Sequence, residues 1–266
     1  RLAFDSFTVT RGASGTLART HALNATVVLP GDSFTFLNTG NLTGAIDGGA
    51  GPDLLVGDND GNFFDVTTTN GGVLGQSGSI ATVTFADANP NPDTITRTDA
   101  GDWVADGLTA GQFIQVTRST LNDGLYTIAT VDATTITLIA SDTLTAEAGV
   151  QVTVVGGPKL SRFLSVENLR GGNATDRILV TTAGADLTGN ILGGSGSDTI
   201  TVGANQIGGI IEGGLGNDII NLNDGARVAS SDVTGVVGLG GDDEFNIAGT
   251  VTANLAGDSE DDTFTL

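Results

Sequence analysis

A glycine-rich phrase that returns with a fixed aspartate constrains this chain more than anything else in it. Gly48 to Val56 reads GGAGPDLLV, Gly171 to Leu179 GGNATDRIL, Gly193 to Thr201 GGSGSDTIT and Gly213 to Asn221 GGLGNDIIN. Two worn copies follow, GLGGDDEFN from Gly238 and GDSEDDTFT from Gly257. The aspartates stand at 53, 176, 198, 218, 243 and 262, so the last four steps are 22, 20, 25 and 19 residues. After each Asp, apolar residues recur at every second position, as in Ile200 and Val202 or Ile220 and Leu222, with Thr or Asn between them. That is the period of a strand with one buried face. A second short strand precedes most of the turns, as in Leu187 to Ile191 and Val233 to Val237.

A repeat of this length cannot bury its apolar face alone. Stacked in parallel at a spacing of about 4.8 Å, such repeats form a continuous apolar column joined by ladder hydrogen bonds. The predicted fold is therefore all-β, a parallel β-solenoid with about 20 residues per coil. Glycine serves the corners, where positive φ or close backbone approach excludes a Cβ. The same phase appears upstream as Asp32 to Phe36, 21 residues before Asp53, and as Asp5 to Val9.

Between Asp53 and Asp176 lie 123 residues, and those from 79 to 155 lack glycine turns. They read as short alternating strands and predict an inserted antiparallel β-barrel or sandwich. Asn122-Asp123-Gly124 is expected to form a hairpin turn of type I′ geometry. The expected organisation is a first solenoid part over 1–78, an inserted β-domain over 79–155, and a second solenoid part over 156–266.

Charge narrows the partners. Acidic residues outnumber basic ones 31 to 10, giving a net charge of -21, and Lys159 is the sole lysine. Nucleic acid and anionic membranes require clustered Lys and Arg, which this chain lacks. No apolar run approaches the roughly 20 residues of a membrane-spanning helix. A chain free of Cys and opening on Arg1 fits an exported, processed product or a segment of a larger protein, without by itself assigning a compartment.

A cation is the partner the repeat itself calls for. Stacking places successive Asp carboxylates at one corner, where like charges repel by on the order of 1 kcal/mol in water and more in a drier setting. A divalent ion that prefers oxygen, bridging carboxylates with turn carbonyls as further ligands, reverses that sign. Asp198 and Asp218, with Asp243 next, are expected to form the best ladder. Asp58-Asn59-Asp60-Gly61-Asn62 reads as a solvated turn.

The phrases that begin at Gly48, Gly193 and Gly213 resemble the calcium-binding RTX nonapeptide G-G-x-G-x-D-x-U-x at every defined position. The resemblance implies calcium as cofactor and Asp53, Asp176, Gly194, Gly196, Asp198, Gly214, Gly216, Asp218, Asp243 and Asp262 as its site. It departs from the family in having one glycine turn per coil where the family has two. The phrases Phe-x-x-Val-Glu-Asn-Leu-x-Gly-Gly around Val166 and Thr-Gly-x-Ile before the turns look like those of giant bacterial surface proteins. The implied function is a calcium-stiffened subunit of an extracellular fibre, surface layer or adhesin. The alternative is an export module of a secreted carbohydrate-active enzyme, or a glycan-binding module.

Nothing in the residues points to catalysis. His21 is the sole histidine, and the glycine turns lead into strands rather than helices, unlike a phosphate-binding loop. Surface glycans are a candidate ligand because Asp99, Asp102, Asp106 and Asp123 could gather around Trp103, the sole Trp. Strands of the same phase at both ends of the solenoid, Asp5 to Val9 and Asp262 to Leu266, predict self-association end to end.

Overall fold

The computed structural model describes residues 8–11, 27–28, 31–36, 45–88, 90–157, 159–229, 234–252 and 254–266. They form two compact units, 1–73 with 161–266, and 74–160. His21 and the proposed strand start at Asp5 lie outside the described residues.

The first unit is a parallel β-solenoid with roughly 22 residues per turn. In its second half, the strands that follow the glycine turns are Arg177–Val180, Thr199–Val202, Ile219–Leu222, Glu244–Ile247 and Thr263–Thr265. They pair in parallel without slippage, so that Ile178, Ile200, Ile220, Phe245 and Phe264 lie in one row. The strands before the turns, Asn168–Arg170, Ile191–Ser195, Ile211–Leu215, Thr234–Gly240 and Asn254–Ser259, form a second parallel sheet. Alternation explains the core. Ile200, Val202, Ile220 and Leu222 are buried, while Thr199, Thr201 and Asn221 between them face outward. Each such aliphatic side chain contributes on the order of 1.5–3 kcal/mol once covered.

The coils of this half have a third short side that the two-strand expectation lacked. Gln206–Ile207, Arg227–Val228 and Thr250–Val251 make a three-stranded sheet, with Leu187 bridged to Ile207. Buried Ile207 and Val228 bring one apolar residue per coil to this side.

The solenoid continues in register across the inserted unit. Ser161–Leu164 pairs in parallel with Ala45–Asp47, Asn168–Arg170 with Leu54–Val56, and Arg177–Val180 with Phe63–Thr68. Here Ile46, Leu55 and Phe64 recur every nine residues, all buried and on alternate sheets. This stretch therefore has two glycine turns per coil, at Gly48 and Gly57, which corrects the expectation of one. A second correction concerns the N-terminal edge, where Thr8–Arg11 runs antiparallel to Asp32–Thr35 instead of extending the parallel phase.

The second unit is a closed antiparallel barrel of six strands, ordered Phe113–Thr117, Gly124–Val131, Thr135–Leu138, Thr94–Arg97, Ser77–Ala86 and Glu147–Gly156. It is a barrel and not a sandwich. Its core holds Val83, Phe85, Ile95, Trp103, Ile114, Val116, Ile128 and Val152, among others. The connection from Thr117 to Gly124 is not a type I′ turn: positive φ falls on Arg118, and Asp123 Oδ1 accepts the Ser119 amide at 2.6 Å.

Arg97 is buried under this core, with its guanidinium 4.5 Å from the Trp103 ring centroid and ion pairs to Asp99 at 2.7 Å and to Asp106. The hydrogen bond from Arg97 holds Asp99 at about 2, below its ordinary 3.8. A carboxyl whose pKa is lower in the folded state contributes stability above the unfolded value and loses it as pH falls through the folded one. The barrel is therefore expected to keep its stability down to about pH 4 and to weaken between pH 4 and 2. Near-ultraviolet circular dichroism of Trp103 against pH checks this. A loss of signal beginning above pH 5 would refute it.

Candidate functional site

The candidate site is the corner where each pre-turn strand passes into the following strand. Asp176, Asp198, Asp218 and Asp243 are all buried there, and their carboxylates form a continuous hydrogen-bonded ladder. The backbone amide of each Asp donates to the carboxylate of the Asp one coil ahead: Asp176 to Asp198 at 2.8 Å, Asp198 to Asp218 at 2.7 Å, Asp218 to Asp243 at 2.8 Å and Asp243 to Asp262 at 3.0 Å. The following strand closes the same rung from its other side. The Thr199, Ile219, Glu244 and Thr263 amides donate to the carbonyls of Asp176, Asp198, Asp218 and Asp243 at 2.8–2.9 Å. Each Asp peptide is thus clamped on both its N–H and its C=O by the next coil.

Asn62 heads this ladder. Its amide donates to Asp176 Oδ1 at 2.5 Å and its side-chain amide donates to the same oxygen at 2.8 Å. The turn from Gly57 to Asn62 is accordingly a further copy of the glycine turn, with Asn in the place of Asp, and not a merely solvated loop. The signal was legible, since GDNDGNFFD starts with Gly nine residues after Gly48 and carries Phe64 two places after Asn62.

Asp53 does not belong to this corner. It precedes a strand of the other sheet, so it lies on the opposite corner, where the Asp32 amide donates to Asp53 Oδ1 at 2.7 Å and the Asp53 amide to Glu167 Oε2 at 2.8 Å. Asparagines carry that corner onward: Asn190 donates its amide to Asn168 Oδ1 at 3.0 Å, and Ile210 to Asn190 Oδ1 at 2.9 Å. The expectation of one line through all six aspartates is corrected to two lines, with Asp53, Asp32 and Glu167 on the second.

The glycines divide their work by position. The first of each pair makes room for the carboxylate. A Cβ on Gly193 would meet Asp198 Oδ2 at 2.6 Å and the Gly213 carbonyl at 2.2 Å, and a Cβ on Gly213 would meet Asp218 Oδ2 at 2.4 Å. The next two supply positive φ, at 116° and 113° for Gly194 and Gly196 and at 123° and 116° for Gly214 and Gly216. In the worn copies these φ values fall on Leu239, Asp258 and Glu260, where a side chain costs about 1 kcal/mol or more.

One oxygen is left over on three of the four buried rungs of this corner, whereas on Asp176 the Gly172 amide donates to Oδ2 at 2.6 Å. Oδ2 of Asp53, Asp198, Asp218 and Asp243 is buried and has no hydrogen-bond partner. Burial lifts Asp198 to about 7 and Asp218 to about 6 from the ordinary 3.8, against the opposing effect of the amide each accepts. Burial raises Asp53, Asp176 and Asp243 as well. Among the described residues, no three acidic or His side chains converge as a metal cage. A cation at this corner would be held by the free Oδ2 atoms together with backbone carbonyls. That donor set is all oxygen and suits calcium rather than a softer metal.

The acids proposed to flank an aromatic platform in the barrel have other employment. Trp103 is 0 % exposed, and its indole N–H donates to the Thr134 carbonyl at 3.1 Å. Asp99 and Asp106 hold Arg97, and Asp102 caps the Val104 and Ala105 amides. The expected glycan platform is therefore absent at Trp103.

Neither a protein-family model nor a curated protein matches this chain. Among solved structures it is similar to the Gp54 tailspike of Acinetobacter baumannii bacteriophage AP22, determined in complex with A. baumannii capsular saccharide. The likeness has 11% identity and a TM-score of 0.23, over 84% of this chain and 35% of that one. The chain thus corresponds to about a third of the tailspike's length.

Proposed function

We propose that this chain is a calcium-stabilised structural segment of an extracellular protein, a rigid solenoid whose role is mechanical or adhesive. The observation that carries this reading is the row of buried, half-satisfied carboxylates along one corner. Such oxygens are costly to bury as anions without a partner, and an unaided ladder would select against Asp in favour of Asn. Asp at rung after rung is accounted for if a cation completes it. Calcium would then couple folding to secretion, since a chain of net charge -21 gains its ladder only where the ion is abundant. The Oδ2 atoms of Asp198, Asp218 and Asp243 would hold the ion together with turn carbonyls.

Calorimetric titration of the metal-stripped chain with calcium, and with magnesium beside it, tests this. Calcium is expected to bind and to raise the melting temperature of the solenoid well beyond any magnesium effect, because magnesium demands a tighter octahedral shell. Unchanged melting in excess chelator and in calcium would sink the calcium part of the proposal.

A further inference from the structure

The corner opposite the Asp176 ladder has unmet oxygens of its own. Asp32 and Asp53 are 4% and 0% exposed, and Oδ2 of each is buried without a hydrogen-bond partner. Their strands lie side by side, with Ser33 paired to Leu54 and Phe34 to Leu55, so the two carboxylates head adjacent coils. The Asp32 amide occupies Asp53 Oδ1 at 2.7 Å, which leaves Oδ2 as the spare atom. Glu167 precedes Asn168 as Asp53 precedes Leu54, and these strands pair, so a third acid stands on the following coil. Burial raises the Asp53 pKa, and the charges of Glu167 and Asp32 raise it further.

The set is bounded. Both Glu167 oxygens are occupied, Oε2 by the Asp53 amide at 2.8 Å and Oε1 by the Asn70 side-chain amide at 3.1 Å. Beyond Glu167 the corner turns neutral, because Asn168 and Asn190 supply the acceptor oxygens there. A backbone carbonyl joins the free carboxylate oxygens. A Cβ on Gly48 would meet Asp53 Oδ2 at 2.7 Å and the Ser165 carbonyl at 2.0 Å, so both oxygens lie against the same glycine. Coils stack at about 4.8 Å, twice the calcium–oxygen distance of about 2.4 Å. Oxygens one coil apart can therefore share a calcium ion without a change of register, whereas magnesium, at about 2.1 Å, would require the coils to close up.

The position of these residues gives the site a task. Asp53 and Glu167 are hydrogen-bonded across 114 residues of sequence, with every strand of the barrel between them. Closing so long a loop carries an entropic cost that contacts at the seam must offset. We propose that Asp32, Asp53 and the Ser165 carbonyl form a second calcium site, independent of the Asp198 ladder, that fastens the solenoid where it resumes after the barrel. The proposal shares the premise of the reading above, that calcium completes buried corner carboxylates, but uses none of the oxygens of Asp198, Asp218 and Asp243.

Amide resonances of the metal-stripped full chain, followed through a calcium titration, test it. In the parent the Asp32 and Asp53 amides should shift as calcium saturates. Asp32→Asn with Asp53→Asn keeps an oxygen for the amide at position 32, and it should weaken calcium at this corner by roughly tenfold or more. The shifts of Asp198 and Asp218 should persist in that variant. Asp198→Asn with Asp218→Asn should do the reverse. Static Asp32 and Asp53 amides in the parent at saturating calcium would overturn the proposal without recourse to any variant. So would a shift at this corner that survives the Asp32 and Asp53 changes, or one that vanishes with the Asp198 and Asp218 changes. Movement at Asp32 and Asp53 with none at Asp198 and Asp218 would instead refute the ladder as a calcium site and leave this one standing.

Discussion

Gly193→Ala is expected to be among the most damaging single substitutions in the solenoid, although alanine adds one methyl group at a position where φ is not positive. That methyl would lie 2.2 Å from the Gly213 carbonyl and 2.6 Å from Asp198 Oδ2, distances that no Cβ tolerates. Relief requires either parting two coils or expelling the Asp198 carboxylate from its rung. Expelling the carboxylate breaks the Asp176 amide bond to Asp198, and parting the coils breaks the Asp198 amide bond to Asp218; either leaves a buried donor unpaired, which by itself costs about 1–3 kcal/mol. Overpacking adds a cost of similar size. A loss of about 3 kcal/mol or more should follow, seen as a fall of roughly 10 °C in melting temperature. Gly184→Ala is the control. Gly184 has φ of +76° and open space around its Cα, so alanine there bears only the conformational cost of about 1–2 kcal/mol. If the two variants melt alike, close approach is not what the first glycine provides.

That contrast also explains how much of the molecule could be read from its residues. The parallel solenoid was legible because alternation after Asp176, Asp198 and Asp218 combines with a step of about 20 residues, and strands so spaced can hide their apolar faces only by stacking. The side of the ribbon on which each Asp sits was not legible. Asp53 and Asp198 head the same local phrase, yet a nine-residue half-turn through Ile46, Leu55 and Phe64 carries the phrase from one corner to the other. Local phase fixes which face is buried and says nothing about which corner it follows. Asn62 was overlooked for a related reason, since the eye seeks carboxylates, whereas the rung requires only an oxygen acceptor and a close glycine. Trp103 misled through its neighbours. Acids beside an aromatic suggest a binding platform, but Arg97 lies within reach and takes up Asp99 and Asp106, so the aromatic turns inward.

The second large effect is a reversal of pH response by calcium. With calcium chelated, the Asp ladder should make the solenoid more stable at pH 5 than at pH 8. Asp198 stands at about 7 and Asp218 at about 6 in the folded chain, against 3.8 when exposed. Between those limits the folded state binds more protons than the unfolded state, so the stability these two rungs contribute is complete below about pH 4 and lost as pH rises through 6 and 7. The total is on the order of a few kcal/mol, since each unit of separation corresponds to about 1.4 kcal/mol. Calcium competes with protons for the same oxygens and favours the ionised form, so saturating calcium should flatten or invert the slope. The variant Asp198→Asn with Asp218→Asn separates charge from hydrogen bonding. It keeps an oxygen for the Asp176 and Asp198 amides but cannot titrate. In chelator it should equal or exceed the parent at pH 8 and show little slope, while its gain from calcium should shrink sharply. The barrel provides an internal reference, because Asp99 gives it the opposite sign and a window below pH 4. Should the Asn variant respond to calcium as strongly as the parent, the ion is bound elsewhere and the ladder is a hydrogen-bonded device alone. Should the parent in chelator gain stability from pH 5 to 8, the buried carboxyls are ionised in the folded chain and some other group neutralises them.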